Sequence, residues 1–392
     1  MFQKNNRLHN LIISVVGIVM LMGTGHIDTA TGQTPATVPG VVINHLPAES
    51  QQYIGGPSIA ILPNGDYVAI HDYFGPVTEF NRASLFRSQD QGKSWTHISE
   101  IDGIFWETLF YHKGALYCIS TFGMFGQAVI RRSTDGGETW TEPKDSRTGL
   151  LSIEDRYHCA PVPVVVHQGR IWRAFDLAHG KRSDWPIIVM SAPEDADLLN
   201  ANNWTTSEPF KFPWTKSQRT NGNVVVTPKG GLVTILQTDD AGVAAIVNIS
   251  DDGKTLSCTQ NQEAIPFPGG TKKFTIRYDS VSKQYWALTN YIKDGTIPDK
   301  MRPGQLKNTL ALTVSPDLKQ WTVRSVILHH PDAKKHGFQH VDWLIEGDDI
   351  IAVSSTAYDD EQDGANSAHD ANYLTFHRIQ NFRKRSINER PQ

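Results

Sequence analysis

Histidine, arginine and carboxylate side chains recur at matching points along this chain, beside runs of apolar residues. His71-Asp72 ends the run that begins at Tyr67, Glu107 follows Trp106, and Arg156-Tyr157-His158 precedes Ala160-Pro-Val. Arg173, Asp176 and His179 fall within one short stretch, and Arg219 and Asn221 are followed by Gln237 and Asp239. Lys273, Arg277, Asn290, Gln339, His340 and Asp342 complete the series. Strand ends that enter an apolar sheet have no packing reason to carry these groups together, whereas a sugar site needs carboxylates, imidazoles and arginines that converge. Imidazole titrates near neutrality and a neighbouring carboxylate can orient it, so His71 with Asp72 reads as an acid/base pair. The competing role for His71 is a local tie between strand and loop, because buried polar groups find local partners. Arg277 alternates with apolar neighbours in Phe274-Thr-Ile-Arg-Tyr278, and either lines a channel or pairs with Asp279. His369-Asp370 sits in the small-residue loop 364–372, a substrate clamp or a solvated loop.

The elements that must position these groups are hairpins. Six times an apolar run, a short turn and a second apolar run follow one another, the first being Pro57-Ser-Ile-Ala-Ile-Leu62, Pro63-Asn-Gly65 and Tyr67-Val-Ala-Ile70. Asn-Gly between two such runs is a strong hairpin signal. After the first two hairpins comes an S-x-D-x-G-x-x-W stretch, Ser88-Gln-Asp-Gln-Gly-Lys-Ser-Trp95 and Ser133-Thr-Asp-Gly-Gly-Glu-Thr-Trp140, and weaker versions follow at Ser191, Ser250 and Ser315. In such a turn the carboxylate accepts backbone N–H bonds and the glycine takes positive φ. Helical periodicity is missing, and units of roughly 50 residues suit four short strands each. The expected fold is all-β, a six-bladed β-propeller of four-stranded blades spanning residues 51–383, with seven blades possible if residues 290–323 hold another sheet. Hairpin turns and S-x-D turns then share one face; the polar groups named above share the other.

The formal charge of −4 and the absence of a basic block outside Arg383-Lys-Arg385 argue against nucleic acid as a partner. Lys4 and Arg7 precede an apolar run over residues 11–22, and small residues lead to a cleavage point before Gln33. This pattern predicts a cleaved signal peptide over 1–32, export to the periplasm or exterior, and no stable membrane span, an uncleaved anchor being the alternative. Residues 33–50 read as a linker and 384–392 as a tail. Cys118, Cys159 and Cys258 are too few for a disulfide framework. Cys159 is either a thiol nucleophile or plain core. No C-x-x-C or H-E-x-x-H spacing appears, so neither a metal nor a cofactor is expected, and Asp359-Asp360-Glu361 reads as surface acidity rather than a Ca²⁺ site.

The repeated S-x-D-x-G-x-x-W turns resemble the Asp boxes of the sialidase (neuraminidase) superfamily, over roughly residues 50–382. The resemblance implies a propeller enzyme acting on a glycan, as a monomer. It also exposes a departure: sialidases begin their first blade with an Arg-Ile-Pro turn whose arginine grips the substrate carboxylate, and Gly55-Gly56-Pro57-Ser58 stands in that place here. Propeller enzymes similar in layout include glycoside hydrolases and lyases acting on rhamnose- and glucuronate-containing glycans. For a hydrolase, His71 with Asp72 would be the acid/base, and Glu107 or Asp176 the second carboxylate. For a lyase, Tyr157 and His158 would take the C5 proton while Arg173, Arg219 or Arg277 neutralises the uronate. Asn221, Gln237, His340, Asp342 and His369 would hold the sugar under either scheme. A propeller that binds glycan without catalysis is the third reading.

Overall fold

The structure is a computed structural model; it describes residues 37–391 apart from 154–155, 213–219, 260–263, 293–296 and 390. Six antiparallel sheets follow one another along the chain as the blades of a six-bladed β-propeller. In blade 1 the strands are Ser58–Ile61, Tyr67–Phe74, Arg82–Ser88 and Thr96–Asp102. Blade 2 has Phe105–His112, Ala115–Thr121 and Ala128–Ser133, and its outer position is reduced to a bridge between Val129 and Leu150. Blades 3 and 4 are built on Arg170–Leu177 and Leu232–Gln237 as second strands. Blade 5 runs Thr275–Asp279, Gln284–Asn290, Thr309–Ser315 and Thr322–His329, so residues 290–323 supply its outer half and no seventh blade.

Blade 6 takes three strands, Gly337–Glu346, Asp349–Ala357 and Tyr373–Ile379, from the end of the chain, and its fourth, Val41–His45, from the beginning. That strand lies inside the segment expected to be a linker. Its Val-Val-Ile run is too short to announce itself, and only its partner at the far end of the sequence makes it a strand. It also explains why the sixth unit has no S-x-D turn: its third strand does not continue into its fourth.

Apolar side chains gather in six clusters, and each lies between neighbouring blades rather than at a common centre. Strands buried on both faces read as continuous apolar runs, which is why the hairpins stood out. The polar centre is different. Ser58 Oγ donates to Asp342 Oδ2 at 2.7 Å, linking blade 1 to blade 6, and accepts from Leu109 N of blade 2 at 3.0 Å. Thr108 Oγ1 donates to Val162 O in blade 3 at 3.1 Å, and Ala160 N donates to Asn221 Oδ1 in blade 4 at 2.8 Å. Asn223 accepts from Ile276 N of blade 5 at 3.1 Å, and Thr275 Oγ1 donates to Val341 O of blade 6 at 3.1 Å. The bonds close a circle around the axis.

At the outer face Asp90 Oδ1 accepts from Ser88 Oγ at 2.8 Å and Ser94 N at 2.9 Å, while Gly92 N donates to Ser88 Oγ at 2.8 Å. Asp135, Ser133, Thr139 and Gly137 repeat the arrangement. Gly92 has φ 87° and a Cβ there would lie 2.2 Å from the Phe376 ring, so glycine is required on both counts. These turns join third strands to fourth, at the end of the propeller opposite to the ends of the second strands.

Asp342 was expected to touch substrate, but it is 2% exposed and holds Ser58, Ile59 N and Arg277 together. Arg277 accordingly pairs with Asp342 at 3.2 Å, and Asp279 pairs with Arg383 instead. Removing one member of a buried pair leaves the other uncompensated, so Asp342→Ala should cost about 3 kcal/mol of stability in chemical denaturation. Asp342→Asn, which keeps an acceptor, should recover part of it; an Ala variant as stable as the parent would refute the closing role.

Candidate active site

On the face where first strands begin and second strands end, a pocket opens over the circle of inter-blade bonds. Three of its residues come from β-bulges on alternate blades. Register shifts between Phe105 and Thr108, Thr220 and Asn223, and Gln339 and Asp342 interrupt the first strands of blades 2, 4 and 6. Each bulge carries a non-glycine residue at positive φ: Trp106 at 58°, Asn221 at 57° and His340 at 54°. Such residues cost on the order of 1–3 kcal/mol each and persist where their surroundings over-determine them.

The determining groups are side chains on the second strand of the preceding blade. Asp72 Oδ2 accepts from Trp106 N at 3.1 Å, and Asp176 Oδ2 accepts from Asn221 N at 3.2 Å. Asn290 Nδ2 donates to Phe338 O at 2.6 Å beside the third bulge. Asp72 Oδ1 also accepts from Gly56 N at 3.1 Å. A Cβ on Gly55 would fall 1.3 Å from that Asp72 oxygen, so the space of a side chain at the sialidase arginine position is already filled.

His158 is the best-oriented proton-transfer group. Its Nδ1 meets Asp176 Oδ2 at 3.0 Å, which favours the Nδ1–H tautomer and leaves Nε2 for the pocket side. The ring is enclosed by Trp106, Phe125 and Trp185. Burial lowers its pKa, and the pull of Asp176 in the other direction only partly offsets that. The imidazole is therefore a neutral base at neutral pH. Asn221, itself bonded to Gln237 Oε1 at 2.8 Å, and Gln339, His340 and His369 complete the polar rim.

The remaining wall is cationic: Arg182, Lys272, Lys273 and Lys307. Lys273 Nζ is committed to Val341 O at 2.7 Å and Thr275 Oγ1 at 2.9 Å. Burial pushes the Lys272 and Lys273 ammonium groups down to about 8 and Lys307 well below its ordinary value, and Lys272 adds repulsion at Lys307. No aspartate or glutamate lines the pocket among the described residues. A group of basic side chains in a lining that holds no carboxylate suits an anionic group on the ligand.

Several residues singled out from sequence lie elsewhere. His71 is fully buried; its Nδ1–H donates to Asp72 O at 2.9 Å and its Nε2 accepts from Asn44 Nδ2 at 2.9 Å. Burial holds its pKa down to about 4, so it is a neutral latch for the strand Val41–His45 and not an acid/base. Glu107, fully buried, has no hydrogen-bond partner on either oxygen among the described residues. Tyr157 faces the apolar cluster between blades 2 and 3, against Phe175, because strand neighbours point to opposite sides and His158 takes the pocket side. Arg173 is buried over the Phe175 ring and donates to Trp106 O at 3.3 Å, bracing a bulge rather than reaching substrate. Cys159 is buried core, its thiol pushed up to about 12. Arg219 lies outside the described residues. Arg182, Lys272 and Lys307 were not anticipated; Arg182 and Lys307 sit in loops from second to third strands, which share this face.

No family model and no curated protein sequence matches the chain. Solved structures match it in fold. An α-L-arabinanase from Penicillium chrysogenum, complexed with arabinobiose, is 15% identical with a TM-score of 0.56, covering 90% of this chain and 100% of that one. The α-L-arabinofuranosidase Arb93A of Fusarium graminearum, in complex with an iminosugar inhibitor, is 10% identical with a TM-score of 0.58, covering 87% and 97%. A sialidase from Trypanosoma rangeli, with the inhibitor DANA, is 14% identical with a TM-score of 0.55, covering 83% of this chain and 55% of that chain.

Asp72 and Glu107 form a buried carboxyl pair below Trp106. Burial raises both, Asp72 from 3.8 to about 7, and the charge of Asp72 raises Glu107 further. Folding therefore takes up protons, and the stability from this pair is fully present below the unfolded values and is lost as pH rises through about 7. Glu107→Gln should flatten that decline. Urea midpoints at pH 5 and pH 8 measure it, and equal declines in variant and parent would rule out the pair as its source.

Proposed function

We propose that the protein is an exported carbohydrate-active enzyme that cleaves a uronate-bearing glycan by β-elimination, with His158 as the base. The observation that carries this reading is the pocket lining, in which His158 is joined by the basic side chains Arg182, Lys272, Lys273 and Lys307 and by no aspartate or glutamate among the described residues. A uronate carboxylate placed among Arg182, Lys272 and Lys307 would lose its repulsion toward a developing carbanion, which acidifies the neighbouring C5–H. His158 Nε2 removes that proton and Asp176 stabilises the resulting imidazolium. The C4–O bond then breaks, a C4=C5 double bond forms, and the leaving oxygen takes a proton from His158 itself or from His369. Trp106 offers an aromatic face to the sugar ring.

A second reading is hydrolysis releasing a terminal sugar, and two observations favour it. The solved propellers similar in fold include an arabinanase, an arabinofuranosidase and a sialidase. Asp72 and Glu107 are also carboxyls kept protonated toward neutral pH, as a general acid must be. Both are fully buried, however, so this scheme needs Trp106 to move before either carboxyl meets substrate.

Incubation with uronate polymers, rhamnosyl-glucuronate glycans and sialosides separates the two. Elimination gives an unsaturated product with a new short-wavelength ultraviolet absorbance and fragments that sum to the mass of the substrate; hydrolysis adds one water and no chromophore. His158→Gln should lower kcat by about 10²–10⁴-fold. Lys307→Ala should raise KM for a uronate about tenfold and leave its neutral methyl ester unaffected. Full turnover by the His158 variant would sink the assignment of the base.

A further inference from the structure

We infer that His330, His336 and Asp359 form a binding site for a divalent transition-metal ion of the Zn²⁺ type, between blades 5 and 6. This inference does not depend on the reaction assigned above. One ligand atom from each of the three lies within 4.8 Å of the others. His330 follows the last strand of blade 5, His336 immediately precedes the first strand of blade 6, and Asp359 follows the second strand of blade 6. His330 and His336 bracket the short connection between blades 5 and 6, and Asp359 comes from a separate segment.

His336 points to a missing ligand. It is 3% exposed, yet neither ring nitrogen has a hydrogen-bond partner among the described residues. The acidic oxygens facing it are Asp359 Oδ1, 3.3 Å from Nε2, and Asp332 Oδ2, 3.5 Å from Nδ1. A buried imidazole whose two nitrogens have only these long contacts to carboxylates, and no well-formed hydrogen bond, is poorly satisfied, and a coordinated ion removes that cost. His330 Nδ1 accepts from Asp332 N at 3.2 Å, which leaves its Nε2 as the ligand atom. The two imidazole rings stack with centroids 3.4 Å apart, and Tyr358 packs edge-on against both. The rings must splay from this stack for both lone pairs to meet one ion.

Two imidazoles and one carboxylate suit Zn²⁺ in three protein positions, with water in a fourth and Asp332 beside the other nitrogen of His336. Ca²⁺, which takes six or more oxygens, is a poor match. The spacing escapes short-motif recognition because the ligands come from three strand ends. The ion would act as a clamp. Lys334 O accepts from Ala368 N at 2.6 Å, and Lys335 Nζ donates to Asp363 O at 3.1 Å, so the segment between the two histidines also grips the loop that carries His369 into the pocket.

The full chain, stripped with a chelator, is dialysed against ZnCl₂ at low micromolar concentration, desalted, and its bound zinc counted by elemental analysis. The parent should retain one equivalent more than His336→Ala or Asp359→Asn, whose affinity should fall on the order of 100-fold. CoCl₂ in place of ZnCl₂ should give the parent, and not the variants, the intense visible absorption of a tetrahedral site. Zinc should raise the melting temperature of the parent alone. Asp359 is half-exposed, so its variant keeps the test valid should His336→Ala fail to fold. No uptake by the parent, or equal uptake by a folded variant, overturns the site.

Discussion

Each innermost strand of this propeller is bonded to the next through a side chain or a backbone amide, and the bonds return to their starting point at Ser58 and Asp342. Apolar packing between blades is large but non-directional, and leaves neighbouring sheets free to slide. Hydrogen bonds each add only about 1 kcal/mol net, yet breaking one in this dry circle strands a buried polar group. The circle therefore sets the mutual register of the blades.

The pocket inherits a pseudo-threefold pattern from this arrangement. Blades 1, 3 and 5 each place a short polar side chain, Asp72, Asp176 or Asn290, at the end of the second strand. Blades 2, 4 and 6 each answer with a bulge that turns Trp106, Asn221 or His340 inward. Chemistry is concentrated where the pattern is broken. Only at blade 3 does the short acid also hold an imidazole, and only there does the pocket gain a neutral base with a fixed tautomer. Positive charge collects on the opposite wall from Lys272, Lys273 and Lys307, while the buried acids Asp72 and Glu107 remain below.

The architecture was legible because its signals are local. Asn-Gly turns, alternating apolar runs and the S-x-D-x-G-x-x-W stretches each report on a few consecutive residues, and together they locate the hairpins and the functional face. Which polar residue on that face reaches the pocket was not legible. His71-Asp72 and Tyr157-His158 are both adjacent pairs at strand ends, and the pleat decides which member turns inward. His71 faces the closing strand and His158 faces the pocket, a difference of facing within the pleat that the sequence does not reveal. Arg182 and Lys307 were not legible because they belong neither to first-strand entries nor to second-strand exits. Loops leading into third strands open on the same side, and Lys307 lies in one.

The strand Val41–His45 has a consequence for how the molecule comes into being. It is made early, but its hydrogen-bonding partner is Tyr373–Ile379, and its His45 reaches Asp360, 315 residues further along the chain. Five blades can form as they emerge from synthesis; the sixth must wait for the strand Tyr373–Ile379. Until then the Asn44 amide and the His71 imidazole have no partner in each other, and the edge of Tyr373–Ile379 has not yet been covered. A nascent chain is thus held open by its own topology until the two ends of the sixth blade meet.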